Sequence, residues 1–220
     1  AHSEHGRGVL LERWGVPESK VHVIPLGPYL HLTRVESEPL VAELSDDGTP
    51  VVLCFGLIRP YKGIDVLLEA WRGIEGAQLW IVGRPRYDIA SLRAAAPPGV
   101  QWVTRFVSDG ELAACFRRAD LVVAPYLRSE QSGVVATALA FGAPLLLSDV
   151  GGFSEVAAAG AASLVPAGDP AALRAALEES LGDPAAREHL AASGRALAGG
   201  AWSWERVAER TLELYRSLLR

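Results

Sequence analysis

The chain has 220 residues, half of them hydrophobic and 21% charged, a size that suits one domain with appendages and makes two compact domains a squeeze. Its formal net charge of −5 argues against a nucleic-acid-binding surface, although Arg84, Arg86 and Arg93 could form a local basic patch. No run approaches the roughly 18 consecutive apolar residues that a membrane-spanning helix needs, so such a segment is excluded.

The chain opens on Ala1-His2-Ser3-Glu4-His5, without the charged-then-apolar layout of a signal peptide, and contains no methionine. It therefore reads as a fragment or processed chain with sequence missing upstream. His2, Glu4 and His5 have the composition of a metal cluster but no open-site spacing, and no metal is expected there. Val9 to Trp14 is expected to form a helix and Val21 to Pro25 a strand, and the polar stretch Thr33 to Thr49 then separates both from the first core strand.

An apolar run, Val51–Phe55, stops at Gly56, and Arg59 and Lys62 come within the next few residues. Ile64, Leu67, Leu68 and Trp71 then recur at helical spacing, so the segment reads as strand, basic loop, helix. Such a loop directs backbone N–H groups, the positive end of a helix dipole and two cations at one point, which suits a phosphate or diphosphate. The alternative is a solvated loop whose cations do nothing.

Further β-branched or apolar runs lie at Leu79–Val82, Val100–Phe106, Leu121–Tyr126, Leu145–Val150 and Ser163–Val165. They alternate with helical segments, which predicts a parallel sheet of about six strands with helices on both faces. Ligands of such folds bind at the carboxyl ends of the strands, so the loops after Phe55, Val82, Phe106, Tyr126 and Val150 are the places to look. Cys54 and Cys115 lie among apolar neighbours without redox or metal spacing and read as core residues of a protein in a reducing compartment.

After Tyr126 a polar loop leads to Ser132-Gly133, which open a short apolar helix ended by Gly142 and Pro144. The N–H groups of Gly133 and Val134 are unpaired at that helix start, glycine permits close approach of a ligand, and Ser132 can cap the helix or bind an anion. Asp169-Pro170 and Asp183-Pro184 each mark a helix start. Finally Trp204, Val207, Thr211, Leu214, Tyr215 and Leu218 form a narrow apolar stripe on a long amphipathic helix that must pack on something.

Together these segments resemble the C-terminal, nucleotide-sugar-binding half of the GT-B glycosyltransferases, specifically glycosyltransferase family 4, over nearly the whole chain. Phe55-Gly56 with Arg59 and Lys62-Gly63 is similar to the family's donor diphosphate loop, and Asp120-Leu-Val-Val-x-Pro125 to the strand before its donor site. Ser132-Gly133 with Ala138-x-Ala140-x-Gly142-x-Pro144 resembles its signature helix, and Asp149-Val150-Gly151-Gly152-x-x-Glu155 the loop after it. Val21-His22-Val23-Ile24-Pro25-x-Gly27 resembles the segment leaving the N-terminal domain, and Trp202-Ser203-Trp204-Glu205 the start of the helix that crosses back.

The resemblance implies a Rossmann-like parallel sheet flanked by helices, with a long C-terminal helix. It divides the chain into a remnant of the acceptor domain and linker (1–32), a polar linker (33–49), the nucleotide-sugar-binding domain (50–200) and the crossover helix (201–220). It implies donor binding by Gly56, Arg59, Lys62, Ser132, Gly133 and Val134, with the base against Thr104, Arg105 and Phe106. Phe106 either stacks on the base or belongs to the core. The family places two glutamates on the donor sugar and the ribose hydroxyls; counting back from Gly142, these positions hold Ser129 and Thr137, with Glu130 one place from the first. Thr137 can form a hydrogen bond but cannot hold two hydroxyls as a carboxylate does.

The implied function is the donor-binding half of a retaining hexosyltransferase that uses a nucleotide-diphospho-sugar, with Arg59, Lys62 and Glu130 at the reacting centre and no cofactor. The partners implied are the nucleotide sugar and the absent N-terminal acceptor domain, through which peripheral membrane contact could arise, in a cytoplasmic setting. Without that domain the fragment is expected to bind donor and not turn over. The alternatives are a non-catalytic nucleotide-binding module of the same fold, consistent with the altered glutamates, and a GT-B-type sugar-nucleotide epimerase. A Rossmann dehydrogenase fits less well, because no G-x-G-x-x-G comes after the first core strand.

Overall fold

A computed structural model describes residues 1–36 and 38–219; Ser37, inside the expected linker, and Arg220, at the end of the expected crossover helix, lie outside them. Six strands, β1 (Val51–Phe55), β2 (Gln78–Val82), β3 (Val100–Val103), β4 (Leu121–Ala124), β5 (Leu145–Ser148) and β6 (Ala162–Val165), form one parallel sheet in the order β3-β2-β1-β4-β5-β6. Val51 pairs with Gln78 and Leu53 with Val122, so β1 is flanked by the two strands that run out in opposite directions from it. Chain order reverses between β1 and β4, and the loops that leave their carboxyl ends separate to form a crevice.

Alternate residues of each strand face opposite layers, as the pleat requires. On β1, Val51 and Leu53 pack with Cys115, Phe116, Val135 and Leu139, whereas Val52 and Cys54 pack with Ile64, Leu67, Trp71, Leu173 and Leu177. The first layer holds α4 (Asp109–Arg118), α5 (Gly133–Phe141), α6 (Phe153–Ala158) and α8 (Pro184–Gly199); the second holds α2 (Ile64–Ala70), α3 (Ala90–Ala95) and α7 (Pro170–Gly182). The expected helices on both faces are present, and both cysteines are buried core residues.

The helix signals read from the sequence act as caps. Asp169 accepts hydrogen bonds from the Ala171 and Ala172 amides at 3.0 and 2.9 Å, and Asp183 from the Ala186 amide at 2.9 Å. Gly142 ends α5 in the left-handed region, at φ 64°. A cap that was not read from the sequence starts α4, where Ser108 and Glu111 form a reciprocal capping box.

Several expectations require correction. Val21 to Pro25 is not a strand of the sheet: its apolar alternation makes it extended, but its backbone pairs with the first residue, the Ile24 amide donating to Ala1 O at 2.9 Å and the Ala1 amino group to His22 O at 2.8 Å. The helix expected over Val9 to Trp14 lies earlier, as α1 (Glu4–Glu12), because Ser3 caps it and accepts from the Gly6 amide at 2.9 Å. Runs β3, β4 and β5 end before Phe106, Tyr126 and Val150, since apolar residues continue past the last ladder bond into the functional loops. The polar stretch 38–49 is fastened across the sheet: Val41 and Leu44 are buried, Ser108 Oγ donates to Glu38 at 2.7 Å, and Arg118 pairs with Asp46 at 2.6 Å. The stripe on α9 (Trp204–Leu218) contains no fully buried residue.

Candidate functional site

The loop after β1 carries the basic motif and is held from both sides. Ile58 donates to Arg84 O at 3.1 Å and Arg86 to Ile58 O at 3.0 Å, which fastens it to the loop after β2. On the other side Leu127 donates to Tyr61 O at 2.8 Å, which fastens it to the loop after β4. Pro60–Lys62 form one 3-10 turn, and Gly63 then turns the chain into α2 at φ 65°. An added Cβ at Gly63 would lie 2.0 Å from Pro125 O, so only glycine fits where the two loops cross.

This packing turns Lys62 inward. The residue is 6% exposed, and its ammonium donates to the phenol oxygen of Tyr126 and to Phe55 O at 3.4 Å. No carboxylate pairs with it among the described residues. Burial pushes its pKa down to about 8. Arg59, by contrast, is exposed and lines a cleft of about 460 Å3 with Tyr61, Arg128, Ser129, Glu130 and Gln131.

The second constellation lies beside the first. Ser132 caps α5, accepting from the Val135 amide at 3.4 Å, and its hydroxyl lies 3.3 Å from the Tyr126 phenol. Tyr126 thus links Lys62, after β1, to the first turn of α5, after β4. The Gly133 and Val134 amides have no intrahelical acceptor, because they belong to the first turn. Tyr29 fills one side of the space that Gly133 leaves, where an added Cβ would stand 3.3 Å from its ring. Thr137 lies one turn further along α5, 5% exposed, and its hydroxyl donates to Gly133 O at 2.8 Å. In this arrangement it bonds within its own helix.

A second cleft, of about 260 Å3, opens past the carboxyl ends of β1 to β3 and is lined by Phe55, Gly56, Leu57, Gly83, Arg84, Arg105, Phe106, Val107, Asp109 and Leu112. Gly56 is the joint between this cleft and Lys62: at φ 104°, an added Cβ would lie 3.0 Å from Val134 and 3.1 Å from the Lys62 nitrogen. Phe106 is 76% exposed at the rim, so it is not a core residue. The Arg105 side chain is committed elsewhere, to Glu111 at 2.6 Å and Glu43 at 2.8 Å, and these carboxylates raise its pKa further. Its contribution to the cleft is therefore wall and backbone. Thr104 is half-buried just past β3 and does not line the cleft.

Glu130 is exposed and faces the N-terminal segment, 3.6 Å from His5 Nε2. Around it, Gln131 donates to His2 O at 3.0 Å and Glu155 accepts from the Glu4 amide at 2.7 Å. The structure therefore brings Gly56, Lys62, Ser132, Gly133 and Val134 together, sets Arg59 and Glu130 on an adjoining cleft, and places Arg105 and Phe106 at a third position on the same edge. Sequence reasoning assigned no site position to Tyr126, Tyr29 or Arg128, and read Arg84 only as part of a possible basic patch. Tyr126 carried a signal too, since it ends an apolar run at a strand's carboxyl end, but it read as one more apolar residue.

Comparison with known proteins bears on the family and the fold. A phosphatidyl-myo-inositol mannosyltransferase of Mycobacterium leprae is 33% identical over 218 residues, covering 95% of this chain and 57% of that protein. The sucrose-phosphate synthase structure from Thermosynechococcus elongatus superposes with a TM-score of 0.80 at 28% identity, covering 100% of this chain and 57% of the other. The isolated C-terminal domain of a group 1 glycosyl transferase, LpcC, from Francisella tularensis is covered over 98% of its length by 78% of this chain, at a TM-score of 0.63 and 17% identity. The chain thus spans about half the length of the curated relatives it matches. Its fold is that of the C-terminal half of a GT-B glycosyltransferase. With residues 49–183 matched by the family model described as glycosyl transferases group 1, the chain belongs to that family.

Proposed function

We propose that this chain is the donor-binding half of a retaining glycosyltransferase that takes a sugar from a nucleotide-diphospho-sugar. The observation that carries the reading is Lys62, a buried ammonium that no carboxylate neutralises among the described residues, next to the unpaired amides of α5. A buried cation in neutral surroundings is costly, and a phosphate oxygen is the partner that its position suits. The cleft beside Gly56 accepts a base with Phe106 at its rim, and Arg59 meets the distal phosphate from the adjoining cleft.

In this reading, negative charge grows on the diphosphate oxygens as the sugar–phosphate bond loosens. Lys62, Arg59 and the α5 amides stabilise that charge more than they stabilise the ground state, which is the condition for accelerating the chemical step. Glu130, on the cleft that Arg59 lines, is the side chain proposed to reach the transferred sugar. Thr137 is the proposed neighbour of the ribose, one turn behind Val134. The names of the relatives, mannosyl- and other glycosyltransferases, support a hexosyl transfer. The acceptor and the remaining catalytic groups belong to the part of the protein beyond this chain.

Calorimetry tests the reading. Arg59→Ala and Lys62→Ala are expected to weaken binding of uridine or guanosine diphosphate at least tenfold while leaving the corresponding nucleoside within about twofold. Equal losses for diphosphate and nucleoside would make the basic loop a structural element and sink the proposal.

A further inference from the structure

We propose that Tyr126 is a positioning residue for diphosphate binding: its phenol orders a hydrogen-bond chain from Lys62 to Ser132 so that the ammonium and the serine hydroxyl act on one phosphate. The inference rests on the donor-binding reading above and adds to it a residue and a direction.

The direction is set by what each group can do. An ammonium donates and accepts nothing, so the contact between Lys62 and Tyr126 uses the phenol oxygen as acceptor. The phenol proton is then free to go the other way, to Ser132 Oγ at 3.3 Å. Ser132 Oγ already accepts from the Val135 amide at 3.4 Å. With two donors pointing at its oxygen, the serine hydroxyl keeps its own proton for an outside acceptor. That proton leaves the cap beside the Gly133 and Val134 amides, where an anion would sit.

Packing holds the phenol in this role. Tyr126 is 2% exposed, with Tyr61 edge-on at 5.9 Å and Phe153 at 5.5 Å between ring centres. The ring cannot swing away, so the Lys62 side chain, which would otherwise lose conformational freedom on binding, is already fixed.

The chain also has a polarity that protonation sets. A neutral Lys62 amine would accept from the phenol, whose oxygen would then accept from Ser132, and the outward proton would be lost. The groups that face Lys62 are Cys54 on β1, Tyr61 in its own turn and Tyr126; α5 carries no charged residue, and burial pushes the Cys54 thiol up to about 11 and Tyr126 higher than its ordinary value. Cys54 and Tyr126 thus stay neutral where Lys62 titrates, and diphosphate binding takes up a proton at Lys62. Affinity is therefore expected to fall as pH rises through about 8.

The experiment is calorimetry of uridine and guanosine diphosphate, and of each nucleoside, on the 220-residue chain from pH 6.5 to 9.5, with Tyr126→Phe and Lys62→Ala beside it. Tyr126→Phe keeps the ring and removes the acceptor. It is expected to lose about tenfold in diphosphate affinity, to keep nucleoside affinity, and to begin its alkaline fall at lower pH, because the ammonium is less well solvated. A purely structural role would lower both ligands together without moving the pH profile, and that result overturns the proposal. If Lys62→Ala loses diphosphate but Tyr126→Phe matches the wild type, Tyr126 has no positioning role while the donor-binding reading stands. If neither diphosphate binds the wild type, or Lys62→Ala binds it normally, the donor-binding reading fails and this inference with it.

Discussion

Lys62 can donate three hydrogen bonds, yet it is 6% exposed with a phenol and one carbonyl as its acceptors. Its pKa is pushed down to about 8 from 10.5 by burial. Because the folded value is the lower one, the folded chain binds fewer protons than the unfolded chain between about pH 8 and 10.5, and stability rises with pH across that window. Below it the cost of holding the charge is fully present. Lys62→Met, similar in length and uncharged, should therefore stabilise the chain at pH 7 by up to about 3 kcal/mol and flatten its stability between pH 8 and 10. Urea unfolding at pH 7, 8 and 10 checks this, and a less stable Met variant at pH 7 would mean that Lys62 supports the fold. The position of Lys62 after an apolar run was legible in the sequence, as was that of Arg59. The burial that makes Lys62 informative was not, since it depends on Tyr126 and Val134, more than sixty residues away.

At the scale of elements, each strand could be read because buried parallel strands are continuous apolar runs, and β1, β2 and β4 to β6 have β-branched or leucine-rich sequences. Where each run ends was less legible. Phe106 and Tyr126 extend the pattern beyond the last ladder bond but serve a cleft rim and a hydrogen-bond chain, so hydrophobicity alone overstated β3 and β4. Val21 to Pro25 fails for another reason: it is apolar and extended, but its backbone pairs with Ala1 and not with a strand of the sheet. Two glycines separate local from tertiary control. Gly8, inside α1, has nothing within 4 Å of an added Cβ, so Gly8→Ala should stabilise the chain by about 0.5–1 kcal/mol through helix propensity. Gly63→Ala should instead destabilise it by more than about 2 kcal/mol and weaken diphosphate binding, because φ is positive and the Cβ meets Pro125 O at 2.0 Å. Thermal melts of the two variants give opposite signs if the crossing of the two loops sets the position of Lys62; shifts of the same sign would refute that assignment.

For the molecule as a whole, α9 is docked along one edge only: Val207, Thr211 and Leu214 are half-buried, and the rest of its stripe is exposed. Trp204 donates to Pro28 O at 2.7 Å and its ring lies against Gly27, where an added Cβ would be 2.7 Å away. Leu214 lines a groove shared with Val21, Val23 and Ile24, but Leu212, Tyr215, Leu218 and Leu219 remain exposed at 48%, 60%, 72% and 87%. Packing within this chain therefore explains Val207, Thr211 and Leu214 of the stripe read from the sequence, and leaves Tyr215 and Leu218 without a partner surface among the described residues. Trp204→Ala removes a hydrogen bond and ring packing and should cost about 1–3 kcal/mol of stability. Tyr215→Ser with Leu218→Ser should leave stability within about 0.5 kcal/mol, because these side chains bury little, and should reduce concentration-dependent association of the isolated chain. Light scattering and urea unfolding on both variants separate the two ends of the helix. If the serine variant unfolds as easily as Trp204→Ala, Tyr215 and Leu218 are packed in solution and the description of that edge as exposed is wrong. If it stays stable but associates as the wild type does, the exposed stripe is not what brings copies together, and the adhesive surface must be sought elsewhere, first along the groove between α9 and residues 21–24.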